Sequence, residues 1–273
     1  MSQSHGRVRP PAVAGLFYPE EADALRGAVR SLLESVPPPI AAPPVALAVP
    51  HAGYVYSGLT AAHAYRALPA ADPDHPRRVI VLSPSHRVFL EGVSVGDWEA
   101  FATPLGEIPL DWEAVERLAQ EPDVQRTAAP HRQEHALEVH LPFLQETVGA
   151  FRLVPLVHGR IAHQRLAALA LLSWRPGDLL IASTDLSHFH PDHEARRLDA
   201  QCHQAVLSLD AAAMNQCEAC GRTGVSALLE IARERGWRPE KLHDRNSGEV
   251  TGDRSSVVGY ASYVFHASEE GRA

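Results

Sequence analysis

Apolar residues in this chain fall into short continuous runs separated by longer amphipathic stretches. Val45-Ala46-Leu47-Ala48-Val49 and Arg78-Val79-Ile80-Val81-Leu82 are short and rich in β-branched residues, so they predict buried strands. Further strands are predicted over 151–157, 179–182 and 256–265. Between them, apolar residues recur at helical spacing. Ala24, Leu25, Val29, Leu32 and Leu33 predict a helix over 20–36, which Pro37-Pro38-Pro39 stops. The same reasoning predicts helices over 58–67, 112–120, 135–147, 163–174, 194–209 and 225–235. Strands alternating with helices define an α/β fold, a single layered domain with a central mixed sheet flanked by helices. The expected domain covers 1–273, with residues 1–19 as an N-terminal arm packed on it. The proline-rich stretch at 37–44 reads as a connector.

Composition narrows the class. Hydrophobic residues make up 45% of the 273 and charged residues 21%, as in a soluble globular protein. The net charge of −8 argues against a general nucleic-acid surface. No apolar stretch is long enough to span a bilayer, and Met1 to Arg7 carries no apolar h-region, so no membrane or secretory role is expected. Cys202, Cys217 and Cys220 are too few for a disulfide framework, which points to the cytoplasm.

The chemistry lies in the 16 histidines. Imidazole binds mid-series metals and moves protons near neutrality. His51 follows one predicted strand and His86 another, and Asp185 and His188 follow a third. In open α/β sheets ligands sit beyond the carboxyl ends of strands, so all of these should meet at one rim. His51 and His86 read either as metal ligands or as histidines satisfied by backbone. Asp185 and His188 read as an acid–base pair or as an Asx turn. His190 and His193 extend the cluster but read as solvated. On the 135–147 helix, His135 is placed behind the site and His140 in ordinary packing. The spacing is not His-Glu-x-x-His, which disfavours a zincin protease. Cys217-Glu218-Ala219-Cys220 lacks a second pair and reads as structural. Glu249 lies in a glycine-rich turn, either completing a metal site or standing free in solvent.

Taken together these segments resemble the Memo family, called AmmeMemoRadiSam system protein B in bacteria and archaea. The resemblance rests on Val8-Arg9-Pro10-Pro11-Ala12-Val13-Ala14-Gly15-Leu16-Phe17-Tyr18-Pro19, His51-Ala52-Gly53-Tyr54 and Ser83-Pro84-Ser85-His86. It continues through Glu134-His135 to Leu141-Pro142, Ser183-Thr184-Asp185-Leu186-Ser187-His188, and Ser255-Ser256-Val257-Val258-Gly259-Tyr260.

It implies a fold similar to class III extradiol dioxygenases, which hold non-haem Fe(II) with two histidines and a glutamate and keep another histidine as acid–base. By this resemblance His51 and His86 are the histidine ligands, and His188 is the acid–base histidine. The third ligand, a cysteine in animal Memo proteins, falls on Glu249 when counted back without gaps from Ser255-Ser256-Val257. A gap would move it to Asp244 or Asp253. Asp185 is then expected to hold the tautomer of His188, His135 to orient substrate, and Tyr54 and Tyr56 to line the pocket. The implied function is Fe(II)-dependent oxygenation of a small catechol-like aromatic, with zinc or copper as other metals. A metal- or peptide-binding adaptor and a zinc hydrolase are the competing functions. The family also implies a pathway shared with a radical-SAM enzyme and an AMMECR-type protein.

Overall fold

The computed structural model describes residues 7–38, 42–69 and 76–268. Met1 to Gly6 and residues 39–41 of the proline-rich connector lie outside that range. In chain order the first elements are β1 (Val8–Arg9), α1 (Ala22–Glu34), β2 (Ala46–Val49), α2 (Tyr54–Tyr65) and β3 (Arg77–Pro84). Next come β4 (Val93–Ser94), β5 (Ala100–Thr103), β6 (Gly106–Pro109), α3 (Trp112–Leu118) and β7 (Val124–Gln125). They are followed by α4 (Ala129–Arg132), α5 (Leu141–Thr147), β8 (Phe151–His158), α6 (His163–Ser173) and β9 (Leu179–Ser183). The chain continues with β10 (His188–His190), α7 (Asp192–Leu207), α8 (Ala211–Met214) and α9 (Arg222–Glu234). It closes with β11 (Arg238–Asn246), α10 (Gly248–Thr251) and β12 (Val257–His266).

The fold is α/β, with a large mixed sheet in the order β10-β12-β2-β9-β3-β8-β4-β7 and β11 paired to β12. Its centre is parallel: β2, β9, β3 and β8 run the same way. Apart from Arg77 and Arg152 near the strand starts, these strands are buried on both faces, because helices cover both sides of a parallel sheet. Val49 pairs with Ser183, and Leu82 with Ala182. The ends of β2, β9 and β3 therefore lie side by side, which puts His51, Asp185 and His86 at one rim.

Two elements depart from expectation. The 135–147 segment is not one helix: a 3₁₀ turn at Glu138–His140 leads into α5. Pro142 sits in the first turn of α5, where its missing N–H is not needed. The 246–253 turn contains the short helix α10 between β11 and β12.

The N-terminal arm is fastened by a buried ion pair. Arg9, 1% exposed, donates to Glu138 Oε2 at 2.7 Å and to the carbonyls of His131 and Glu134, both at 2.7 Å. Glu138 also accepts the Ala12 and Val13 N–H groups and the Tyr18 hydroxyl. Every polar atom the pair buries is thereby satisfied, which a buried charge requires.

Candidate metal centre

Three ligand-type atoms converge at the rim. One donor atom each from His51, His86 and Cys220 lies within 4.8 Å of the other two. The His51 and His86 rings stand 5.1 Å apart at 70°. Cys220 Sγ is 3.2 Å from His51 Nε2.

Hydrogen bonding sets which face each imidazole presents. The Ser183 hydroxyl lies 2.6 Å from the Ala136 carbonyl, which can only accept, so the hydroxyl proton goes there. His51 Nδ1 and His140 Nε2, both 2.7 Å from the same oxygen, then donate to it. His51 is left with its Nε2 lone pair facing Cys220. His86 is set in the same way: its Nδ1 lies 2.9 Å from Glu134 Oε1 and its backbone N–H donates to Glu134 Oε2 at 2.6 Å. Glu134 also accepts the N–H groups of His135 and Ala136, so it is saturated as an orienting carboxylate. Metal-binding histidines are held in this way, the other ring nitrogen donating to a fixed oxygen.

Cys220 arrives from the turn before α9. A Cβ on Gly221 would stand 2.0 Å from the Ser183 carbonyl oxygen, so only glycine lets this turn press against the end of β9. Burial, then the Asp185 carboxylate, pushes the Cys220 thiol up to about 12. Burial also drives His51 far below the ordinary histidine range, with the neighbouring histidines adding to it. Both groups are therefore neutral, and a divalent cation would displace the thiol proton. The donors fit an ion: bonds of about 2.0–2.3 Å in a tetrahedral set place sulfur and nitrogen about 3.5 Å apart, close to the 3.2 Å found.

The other expected residues are placed as follows. His188 lines a cavity of 540 Å³ together with Cys220, Pro84, Ser85 and His158. Burial lowers its pKa, partly offset by a hydrogen bond to the Leu186 backbone. His135 stacks on His86 at 4.9 Å and meets His51 edge-on at 5.4 Å. Burial holds it at about 4.

Other expected residues stand apart from the histidine cluster or act differently in it. Glu249 does not join the histidines: its carboxylate pairs with Arg196 at 2.9 Å. Asp244 is tied to Lys241, and Asp253 to Ser255. Asp185 bonds the His51 backbone N–H at 2.8 Å and that of Ala52, fixing the turn that carries His51 rather than the tautomer of His188. Tyr54 is a core residue whose hydroxyl donates to the Val139 carbonyl at 2.7 Å. Neither Tyr54 nor Tyr56 lines the cavity. His140, read as packing, shares Ser183 with His51. The cysteine motif concealed the thiol of Cys220, which stands beside the two histidines. Cys217 instead is buried in the hydrophobic core, as is Cys202. His190 bonds Glu218.

The family model for Memo-like proteins matches residues 9–264. A MEMO1 family protein of Thermoplasma acidophilum is 35% identical, covering 94% of this chain and 98% of its own. Those of Methanosarcina barkeri and Thermotoga maritima are 37% and 34% identical over 94% of this chain and 99% of theirs. The chain belongs to the Memo family. Among the described residues no helix is long and apolar enough to cross a membrane.

Proposed function

We propose that this chain is a metal-dependent oxygenase of the non-haem Fe(II) type, acting on a small catechol-like aromatic, with the ion held by His51, His86 and Cys220. The observation that supports this is the presentation of two Nε2 lone pairs and a thiol toward one point beside a cavity. Iron held there would supply open positions at which O₂ and an electron-rich phenol meet and exchange electrons. The chain's own residues do the rest. Ser183 and Glu134 keep the two rings from rotating. His188, neutral because burial lowers its pKa, accepts a phenolic proton from a substrate in the cavity. His135 forms a neutral flat wall over His86. Val88, Phe89 and Leu90 supply the apolar side of the cavity.

A thiol as third donor also suits zinc or copper, which favours the second reading, a metal-binding protein without oxygenase activity or a zinc hydrolase. The test is anaerobic loading of purified protein with Fe(II), Zn(II) or Cu(I), metal analysis, and an oxygen-uptake screen with catechols. Tight iron binding with uptake supports the oxygenase. Full metal binding without uptake on any aromatic, or preference for zinc with ester hydrolysis, removes it. A shared pathway with a radical-SAM enzyme and an AMMECR-type protein is part of the same proposal.

A further inference from the structure

Phe189 is the strained point of β10. Its φ of 63° is left-handed, a conformation that a bulky side chain adopts only at a cost. The side chain is 75% exposed, so packing does not explain the strain. Strain of this kind persists where the surroundings over-determine it. Here the residues on either side supply the reason. His188 pairs with Val258 and His190 with Val257, so Phe189 is an extra residue, a bulge against β12. The bulge brings the His188 N–H and the His190 ring to one carboxylate, that of Glu218.

Glu218 stands two residues before Cys220 and lines the same cavity as Cys220 and His188. Its Oε1 accepts the His188 N–H at 3.2 Å, and both of its oxygens lie 2.9 Å from His190 Nε2. His190 Nδ1 lies 3.6 Å from Glu194 in the first turn of α7, so this imidazole stands between two carboxylates. The Cys220 end of the turn is fixed separately. The Cys220 N–H donates to the Asp185 carbonyl at 3.3 Å, the Asp185 N–H to Cys220 Sγ at 3.2 Å, and the Gly221 N–H to Thr184 Oγ1 at 3.0 Å. Those bonds tie the thiol to the end of β9 and leave β10 untouched. Among the described residues, Glu218 is the one side chain of the 215–221 segment that hydrogen-bonds β10.

We infer that Glu218 is a positioning residue that sets the separation of the Cys220 thiol and His188, with His190 holding its carboxylate and the strained Phe189 bringing β10 within reach. Glu218 acts through the backbone of His188 and through its own place in the Cys220 turn. A ligand in the cavity would meet the ion on one side and the acid–base imidazole on the other. A displacement of about 1 Å between such groups costs on the order of 100-fold in rate. The inference deepens the oxygenase reading and rests on it for what the two groups do, while the joint itself exists without metal.

The test uses the full-length chain. Amide hydrogen exchange at His188 and Cys220 is read by NMR in metal-free wild type, Glu218→Ala, Glu218→Gln and His190→Ala. Both side chains reach solvent, so the variants keep the fold. Co(II), whose thiolate band reports Cys220 as a ligand, is then titrated into the same proteins. In Glu218→Ala the expected result is His188 exchange about 10-fold or more faster and cobalt affinity about 10-fold or more weaker, with the urea midpoint unchanged. His190→Ala should move both in the same direction by less. Glu218→Gln, whose side-chain oxygen still accepts the His188 N–H, should bring both back to within about 3-fold of wild type. Unchanged His188 exchange in Glu218→Ala overturns the joint, and unchanged cobalt affinity overturns the hold on the thiol. Protection lost across the whole sheet, with a lower urea midpoint, makes Glu218 a general brace and overturns positioning as well. Wild type that takes up no cobalt removes the metal reading alone, and exchange at His188 and Cys220 still decides the role of Glu218.

Discussion

Cys220 Sγ and His51 Nε2 stand 3.2 Å apart although 169 residues separate them in the chain. One belongs to the turn before α9 and the other to the turn after β2. Their meeting brings a thiol beside the two histidines, while Glu249 stays in its ion pair with Arg196.

Cys220→Ser should therefore lower metal affinity by orders of magnitude, since it removes a ligand where even a change behind the ligands costs about 10–100-fold. Glu249→Gln should leave affinity within about 2-fold, because it touches a half-exposed ion pair and the Asn246 N–H, away from the histidines. Metal titration of the two variants side by side checks this. Loss of metal in Glu249→Gln with retention in Cys220→Ser would reverse the assignment.

Ser183 is the oxygen shared by His51, His140 and the Ala136 carbonyl. In Ser183→Ala both imidazoles lose their fixed partner. Metal affinity is expected to fall about 10–100-fold. Unfolding free energy should drop by about 1–3 kcal/mol from the unsatisfied buried groups, measured by urea denaturation. An unchanged affinity would mean the rings need no such support.

Gly221→Ala would drive a Cβ into the Ser183 carbonyl. Overpacking against backbone should cost about 1–3 kcal/mol or more. It should also lift Cys220 away from His51, so metal affinity falls although no ligand is changed. A variant with wild-type stability and metal content would contradict the close approach.

Stability should also fall on acidification. Burial depresses His131 to about 3, with Arg9 adding to it, and His158 to about 4, from an ordinary 6.5. Below 6.5 the unfolded chain takes up protons the folded one refuses. The stabilisation is full above the unfolded value and is lost as pH falls toward the folded ones. Each histidine steepens the loss by up to about 1.4 kcal/mol per pH unit. Urea denaturation at pH 7.5, 6 and 5 should show the decline, and His131→Gln should make it shallower. An identical slope in that variant would mean His131 is protonated within the fold.

Much of this arrangement was readable from the chain. The runs 45–49, 78–82 and 179–182 are continuous apolar strands, and the parallel centre of the sheet forms from them. Because they end just before His51, His86 and Asp185, the shared rim followed directly. The extent of β11 was not readable. Its residues, Arg-Pro-Glu-Lys-Leu-His-Asp-Arg-Asn, do not alternate, since it is an edge strand held by backbone pairing to β12. Its hairpin with β12 also governs where Glu249 points, so counting back along the sequence could not place that carboxylate. Cys220 was hidden because a lone CxxC has no metal spacing of its own. The glycine following it was the available clue, and its meaning depends on a contact with β9 that no local pattern encodes.

The Arg9–Glu138 clamp has a practical corollary. Arg9 also grips the carbonyl of Glu134, the carboxylate that steers His86. The loop behind the candidate metal centre is thus moored by the segment around Arg9. Trimming the first dozen residues, or fusing a bulky tag hard against them, should slacken that mooring and produce a protein that still purifies yet loads metal poorly. Anyone preparing it would do well to put the affinity handle at the other terminus.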